Sequence, residues 1–194
     1  MKKLIALLVI LILNINCSSD SNDKAACTPI PCLNGGTSNS NCGCDCPQGF
    51  SGANCGTQIT PILIKITQVK VLDFPMTDSN GNQWDQFAAG NFVRPDIYPI
   101  LSLGSTILFN LTAYQDAVNT NTYTWTLSQP LSLTLSQFTS QLTLKLYDED
   151  TGSDMEMGGY NFNIYNSTGG FPTSKIISTT SSPYKFELTL SYVW

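Results

Sequence analysis

The chain has 194 residues, 42% of them apolar and only 12% charged, with a formal net charge of −5 and no histidine. That length suits one or two small domains with a buried core. An acidic, charge-poor chain lacks the basic stripe that a phosphate backbone needs, which excludes nucleic acid as a partner.

The chain begins MKKLIALLVILILNINC. Lys2 and Lys3 precede an unbroken apolar run, Leu4 to Leu13, too short to span a bilayer and right for the h-region of a signal peptide. Removal of residues 1–16 takes both lysines away and leaves the mature chain more acidic still. Cys17 follows the run directly. This layout resembles a bacterial lipoprotein signal, although Asn16 stands where that signal usually has a small residue. The resemblance implies an acylated Cys17 and anchoring in the cell outer membrane, with the bulk of the chain exposed at the surface. Three acyl chains would hold it there stably. Simple secretion and an uncleaved anchor are the alternatives. Residues 17–26 are small, polar and acidic (Ser18, Ser19, Asp20, Ser21, Asn22, Asp23), so they read as a flexible tether. They are also similar to the acidic surface-export tag of lipoproteins from Bacteroidetes-type bacteria. A plain spacer accounts for them equally well.

With Cys17 set aside, six of the seven cysteines remain: Cys27, Cys32, Cys42, Cys44, Cys46 and Cys55. None occurs after residue 55. An even, dense cluster in an exported chain is a disulfide framework, and a segment this short needs covalent bridges because it cannot bury a sufficient core. Zinc is disfavoured by the lack of histidine and by three thiols at alternate positions. The run Cys32-Leu33-Asn34-Gly35-Gly36-Thr37, the pair Cys44-x-Cys46 and the segment Pro47-Gln48-Gly49-Phe50-Ser51-Gly52 ahead of Cys55 resemble an EGF-like module over residues 27–56. The family pairing would be Cys27–Cys42, Cys32–Cys44 and Cys46–Cys55. Here the third cysteine arrives late, at 42, with one residue between it and Cys44, so the first two pairings can exchange. The acidic cluster of calcium-binding EGF modules is missing ahead of Cys27.

From residue 62 to 194 the texture changes. Leu142, Leu144 and Leu146 alternate with polar residues, as do Phe186, Leu188, Leu190 and Tyr192, and Leu131, Leu133 and Leu135. A period of two with one apolar face predicts half-buried antiparallel strands. Further strands are predicted at 62–72, 97–102, 106–114, 122–127 and 159–165, and no stretch has helical periodicity. About eight strands in this length predict a mainly β fold, an antiparallel β-sandwich.

Acidic residues gather in the expected turns. Asp148 and Asp150 stand two apart at a strand end, so their side chains leave on one face. Carboxylates packed together repel unless a cation offsets them, and calcium takes six to eight oxygens from loops that converge. The run Leu146–Gly159, with Asp148, Asp150 and Asp154, resembles the third calcium loop of a C2 domain. Asp78, Asp85 and the Pro95-Asp96-Ile97-Tyr98-Pro99 segment look like its first loop. The resemblance implies a C2-like sandwich over 62–194 and a calcium site drawn from Asp96, Asp148 and Asp150, with Asp78 or Asp85 first and Asp154 added. The third loop is shorter than in calcium-binding members and the first is longer. Asp-Thr-Gly-Ser is also good turn sequence without any metal. Trp84, Trp125 and Trp194 are candidates for a sugar-stacking platform, or else for the core, where a sandwich tryptophan more often sits.

The lack of histidine removes the commonest general base, every His-dependent triad and the usual catalytic zinc sets. A glycine loop for phosphate is missing too. The expectation is therefore a non-catalytic adhesion or interaction lipoprotein, meeting a membrane, surface protein or acidic surface through calcium. The alternative is a carbohydrate-binding sandwich with a glycan ligand.

Overall fold

The structure, a computed structural model, describes Thr28 and residues 30–85 and 94–194. The signal segment, Cys17, the tether and Cys27 lie outside the described residues.

The cysteine-rich segment forms two small hairpins. Strand β1 (Thr37–Ser38) pairs with β2 (Cys44–Asp45), and β3 (Phe50–Ser51) pairs with β4 (Thr57–Gln58). Cys32 is bonded to Cys44 and Cys46 to Cys55, with Cα separations of 5.7 and 5.2 Å. Cys42 is disulfide-bonded as well. Of the described apolar side chains in these hairpins Cys55 alone is fully buried, so the bridges take the place of a core.

The remainder of the described chain folds into eight strands and one helical turn. The strands are β5 (Leu63–Asp73), β6 (Ile97–Leu103), β7 (Thr106–Asn110), β8 (Tyr123–Thr134), β9 (Leu142–Asp148), β10 (Met155–Phe162), β11 (Ser174–Ser178) and β12 (Lys185–Val193). The turn, α1 (Leu135–Phe138), follows β8. One sheet has the order β10-β9-β6-β7 and the other β11-β12-β5-β8, all pairs antiparallel. The fold is a two-sheet antiparallel β-sandwich. Its core is filled from both inner faces by Ile64, Ile66, Val69, Val71, Leu142, Leu144, Leu146, Phe186 and Leu188, together with Phe74 and Phe138.

Local chemistry explains where these strands depart from simple alternation. In β5 the inward residues are Ile64 and Ile66, then Val69 and Val71. The parity flips at Thr67, where the pairing with both β12 and β8 shifts register. The segments expected at 122–127 and 131–135 are one strand. Residues 127–130 loop out against β5 between the pairs Gln68–Thr126 and Ile66–Leu131. Pro130 sits in that bulge on an edge strand, where its missing N–H costs no ladder bond. Pro99 lies in a central strand for a similar reason. Ile97 exchanges both backbone hydrogen bonds with Tyr114, so two residues on Pro99 faces the same way, and pairing with β7 starts only at Ile100. The strand expected at 106–114 accordingly ends at Asn110. The one expected at 159–165 starts four residues early, at Met155. Strand β11 and the turn α1 were not expected. The turn is held by Gln137, whose side chain accepts from the Thr134 backbone N–H at 2.9 Å. One turn is too short to show a helical period.

The small hairpins pack against one end of the sandwich. Phe50 meets Phe171 edge-on at 5.2 Å, and Phe171 meets Trp194 at 4.3 Å. Gln58 donates to the Asn166 carbonyl at 3.0 Å and accepts from the Gly170 N–H at 2.8 Å.

Candidate metal centre

The inward series of β9 runs Leu142, Leu144, Leu146 and then Asp148. Period two thus carries a carboxylate one step further along the core face, and Asp148 is fully buried. It is the one charged residue among the buried side chains described. Its Oδ1 accepts from the backbone N–H of Asp96 at 2.7 Å. Its Oδ2 is buried without a partner, and so is Oδ2 of Asp85. One carboxylate oxygen from each of Asp85, Asp148 and Asp150 lies within 4.8 Å of the other two.

The electrostatics follow from that packing. Burial pushes the Asp148 carboxyl up to about 7, against the Asp96 N–H bond that favours its charge, and the carboxylates of Asp85, Asp150 and Asp96 push it further up. Burial likewise raises Asp85, helped by the charges of Asp96, Asp150 and Asp116. Three carboxylates, one fully buried, form a hard-oxygen cluster that favours either a shared proton or a divalent cation.

Asp96 stands beside this cluster and ties its loops together. Its carbonyl accepts from the Glu149 N–H at 2.8 Å. Its Oδ1 accepts from the Asp116 N–H at 2.7 Å. Asp116 was not among the sequence candidates. It sits between β7 and β8 with φ of 52°, a backbone conformation that aspartate tolerates better than most residues. An aspartate following a tyrosine and glutamine in a loop gives no signal of its own.

Besides Asp96, two sequence candidates lie outside the trio. Asp78 closes its own turn: its Oδ1 accepts from the N–H groups of Asn80 and Asn82, both at 2.8 Å. The Asn82 bond is the main cause that holds its carboxyl below the usual range. An Asx turn within Asp78-Ser79-Asn80-Gly81 holds the still-charged carboxylate in its own loop, and of Asp78 and Asp85 it is Asp85 that reaches the cluster. Asp154 turns back on the third loop, where Oδ1 accepts from the Asp150 N–H at 3.2 Å and Oδ2 from the Tyr98 hydroxyl. Asp154 therefore buttresses Asp150 and stands outside the trio.

The tryptophans do not make a platform. Trp84 and Trp125 are 5% and 8% exposed, with indole N–H groups donating to Pro75 and Thr112 carbonyls, each at 2.8 Å. Trp194 packs on Phe171 beside the cysteine-rich hairpins.

No protein-family model matches the chain, and no curated protein matches it. Among solved structures it is similar to "Structure of a C2 domain", with 19% identity and a TM-score of 0.44 over 66% of this chain and 97% of that one. It is also similar to the paired C2 domains of Extended-Synaptotagmin 2, at 16% identity and a TM-score of 0.39, over 74% of this chain and 45% of that one. A calcium-bound form of that pair matches at 15% identity and a TM-score of 0.39, over 69% and 47%. The chain spans about half the length of those two-domain chains. The sandwich is assigned from its own strands and sheets, not from these matches.

Proposed function

We propose that this chain is a non-catalytic, surface-anchored interaction protein whose sandwich binds calcium at its acidic end. The observation that carries the reading is the buried, unpartnered Oδ2 of Asp148, on a carboxylate clustered with those of Asp85 and Asp150. A buried carboxylate oxygen without a hydrogen bond is costly, and a divalent cation removes that cost while cancelling the repulsion between its neighbours. Asp85, Asp148 and Asp150 would hold the ion, with Asp96 beside them. These side chains do not fill the six to eight oxygen positions calcium prefers, so water or an acidic group on a partner completes the shell. Extracellular calcium modules bind with dissociation constants of about 0.1–1 mM.

The strand directions support a partner-facing role. The cysteine-rich hairpins pack beside Trp194 and the loop after β10. The acidic loops lie at the other ends of β5, β9 and β12, roughly 20 Å away for a seven-residue strand. An N-terminal anchor at Cys17, expected from the signal layout, would leave the aspartates facing away from the anchored end.

Melting curves with calcium and with chelator, for the wild type and for Asp150→Asn, test this. Calcium at a hundredfold excess over its dissociation constant should add about 2.7 kcal/mol to the wild type and much less to the variant. An unchanged midpoint in all four conditions, with no binding heat, would reduce the site to an acidic turn.

A further inference from the structure

A cleft of about 670 Å³ lies beside the acidic loops, between the segment after β5 and the starts of β10 and β12. That volume suits a small organic ligand. Its apolar walls include Trp84, Met155, Met157 and Tyr184, and two carboxylates, Asp78 and Glu156, also line it. No lysine or arginine is among its described lining residues.

The walls are held in place. Strand β10 carries a bulge between Glu156 and Gly158. Gly158 has φ of 148°, and a Cβ there would come within 2.7 Å of the Tyr184 ring. The Tyr184 hydroxyl donates to the Met157 carbonyl. The ring is therefore pinned against bare backbone that no other residue would leave open. Asp78 is fixed by the two N–H groups of its own turn and by the side-chain amides of Asn80 and Asn82. Glu156 already pairs with Lys145 at 2.7 Å, so Asp78 carries the unbalanced negative charge.

We propose that this cleft binds a small alkylated ammonium cation, with its methyl groups against Met155, Tyr184 and Trp84 and its charge balanced by Asp78. Aromatic rings attract a cation through their negative faces, and a methylated cation is weakly hydrated enough to enter an apolar wall. A bare metal ion would find too few oxygens here, and an anion would meet Asp78. Free choline-type compounds and the choline headgroup of a lipid share this chemistry.

Titration of the full chain with tetramethylammonium chloride, in chelator, tests the site apart from calcium. The Trp84 indole N–H and the Met155 and Met157 methyl resonances should shift and saturate, beyond any effect of sodium chloride. Affinity should fall at least tenfold in Asp78→Asn and also fall in Met155→Ala, and should survive in Tyr184→Phe. Cosedimentation with phosphatidylcholine vesicles would identify the headgroup as the source, and binding of free choline without vesicles would identify a soluble one. Absence of a saturable shift, undiminished affinity in Asp78→Asn, or tighter binding of an arginine-rich peptide would overturn the proposal. Loss of the calcium effect on melting would leave it standing.

Discussion

The backbone N–H of Asp96 donates to Oδ1 of Asp148 at 2.7 Å across 52 residues of sequence. One bond thus joins the start of β6 to the end of β9 and fixes which oxygen of Asp148 remains free. The other oxygen, Oδ2, is buried without a partner, on a carboxylate grouped with those of Asp85 and Asp150.

A dependence of stability on pH follows. The folded-state carboxyl of Asp148 is raised to about 7 from 3.8, so the folded chain holds a proton that the unfolded chain releases. Stability in chelator should therefore fall as pH rises from about 4 to about 7, with Asp148 alone contributing at most roughly 1.4 kcal/mol per unit, and level off above. Asp85, raised as well, adds to the same slope. Asp148→Asn should flatten it, and saturating calcium should oppose the loss at neutral pH. Thermal melts at pH 4.5, 6 and 7.5 read this directly. Stability that rises over that window would contradict the assignment.

Asp78 and Asp150 should separate. Asp78→Ala removes the acceptor that closes its turn and should lower the midpoint with or without calcium, leaving the calcium-induced rise intact. Asp150→Asn should do the reverse. A calcium response lost in Asp78→Ala would place that residue in the metal shell after all.

Gly49 tests the packing of the hairpins on the sandwich. It has φ of 92°, and a Cβ there would lie 2.5 Å from Phe171 Cε2 and 2.7 Å from Trp194. Gly81 has nearly the same φ, 85°, but open space around it. Gly81→Ala should cost about 1 kcal/mol of backbone strain alone, while Gly49→Ala should cost more and alter Trp194 fluorescence. Equal effects of the two would mean that the aromatic contact is not held in solution.

The bridges should map by non-reducing peptide digestion as Cys32–Cys44 and Cys46–Cys55. Replacing Cys46 and Cys55 together by serine should cost about 3 kcal/mol, the loop-closure entropy of a short loop. A Cys32–Cys42 peptide would show that the late third cysteine exchanges partners.

The sequence alone determined the layout: an apolar run near the start, a cysteine cluster with its own turns, and strands whose inward residues could be read by alternation along Leu142–Leu146 and Phe186–Leu190. Alternation is a local property of an extended backbone, so it survives without knowledge of neighbours. The same rule put Asp148 and Asp150 on one face at a strand end. Only the tertiary structure decided that Asp85 and not Asp78 meets them, that Asp154 turns back to Tyr98, and that Asp116 braces Asp96. It also decided the parity flip at Thr67 and the joining of two segments into β8. Each of these depends on which strand or loop lies alongside. Hydrogen bonds such as Asp116 N–H to Asp96, or Asn82 N–H to Asp78, compete for a carboxylate in ways that only convergence in space resolves.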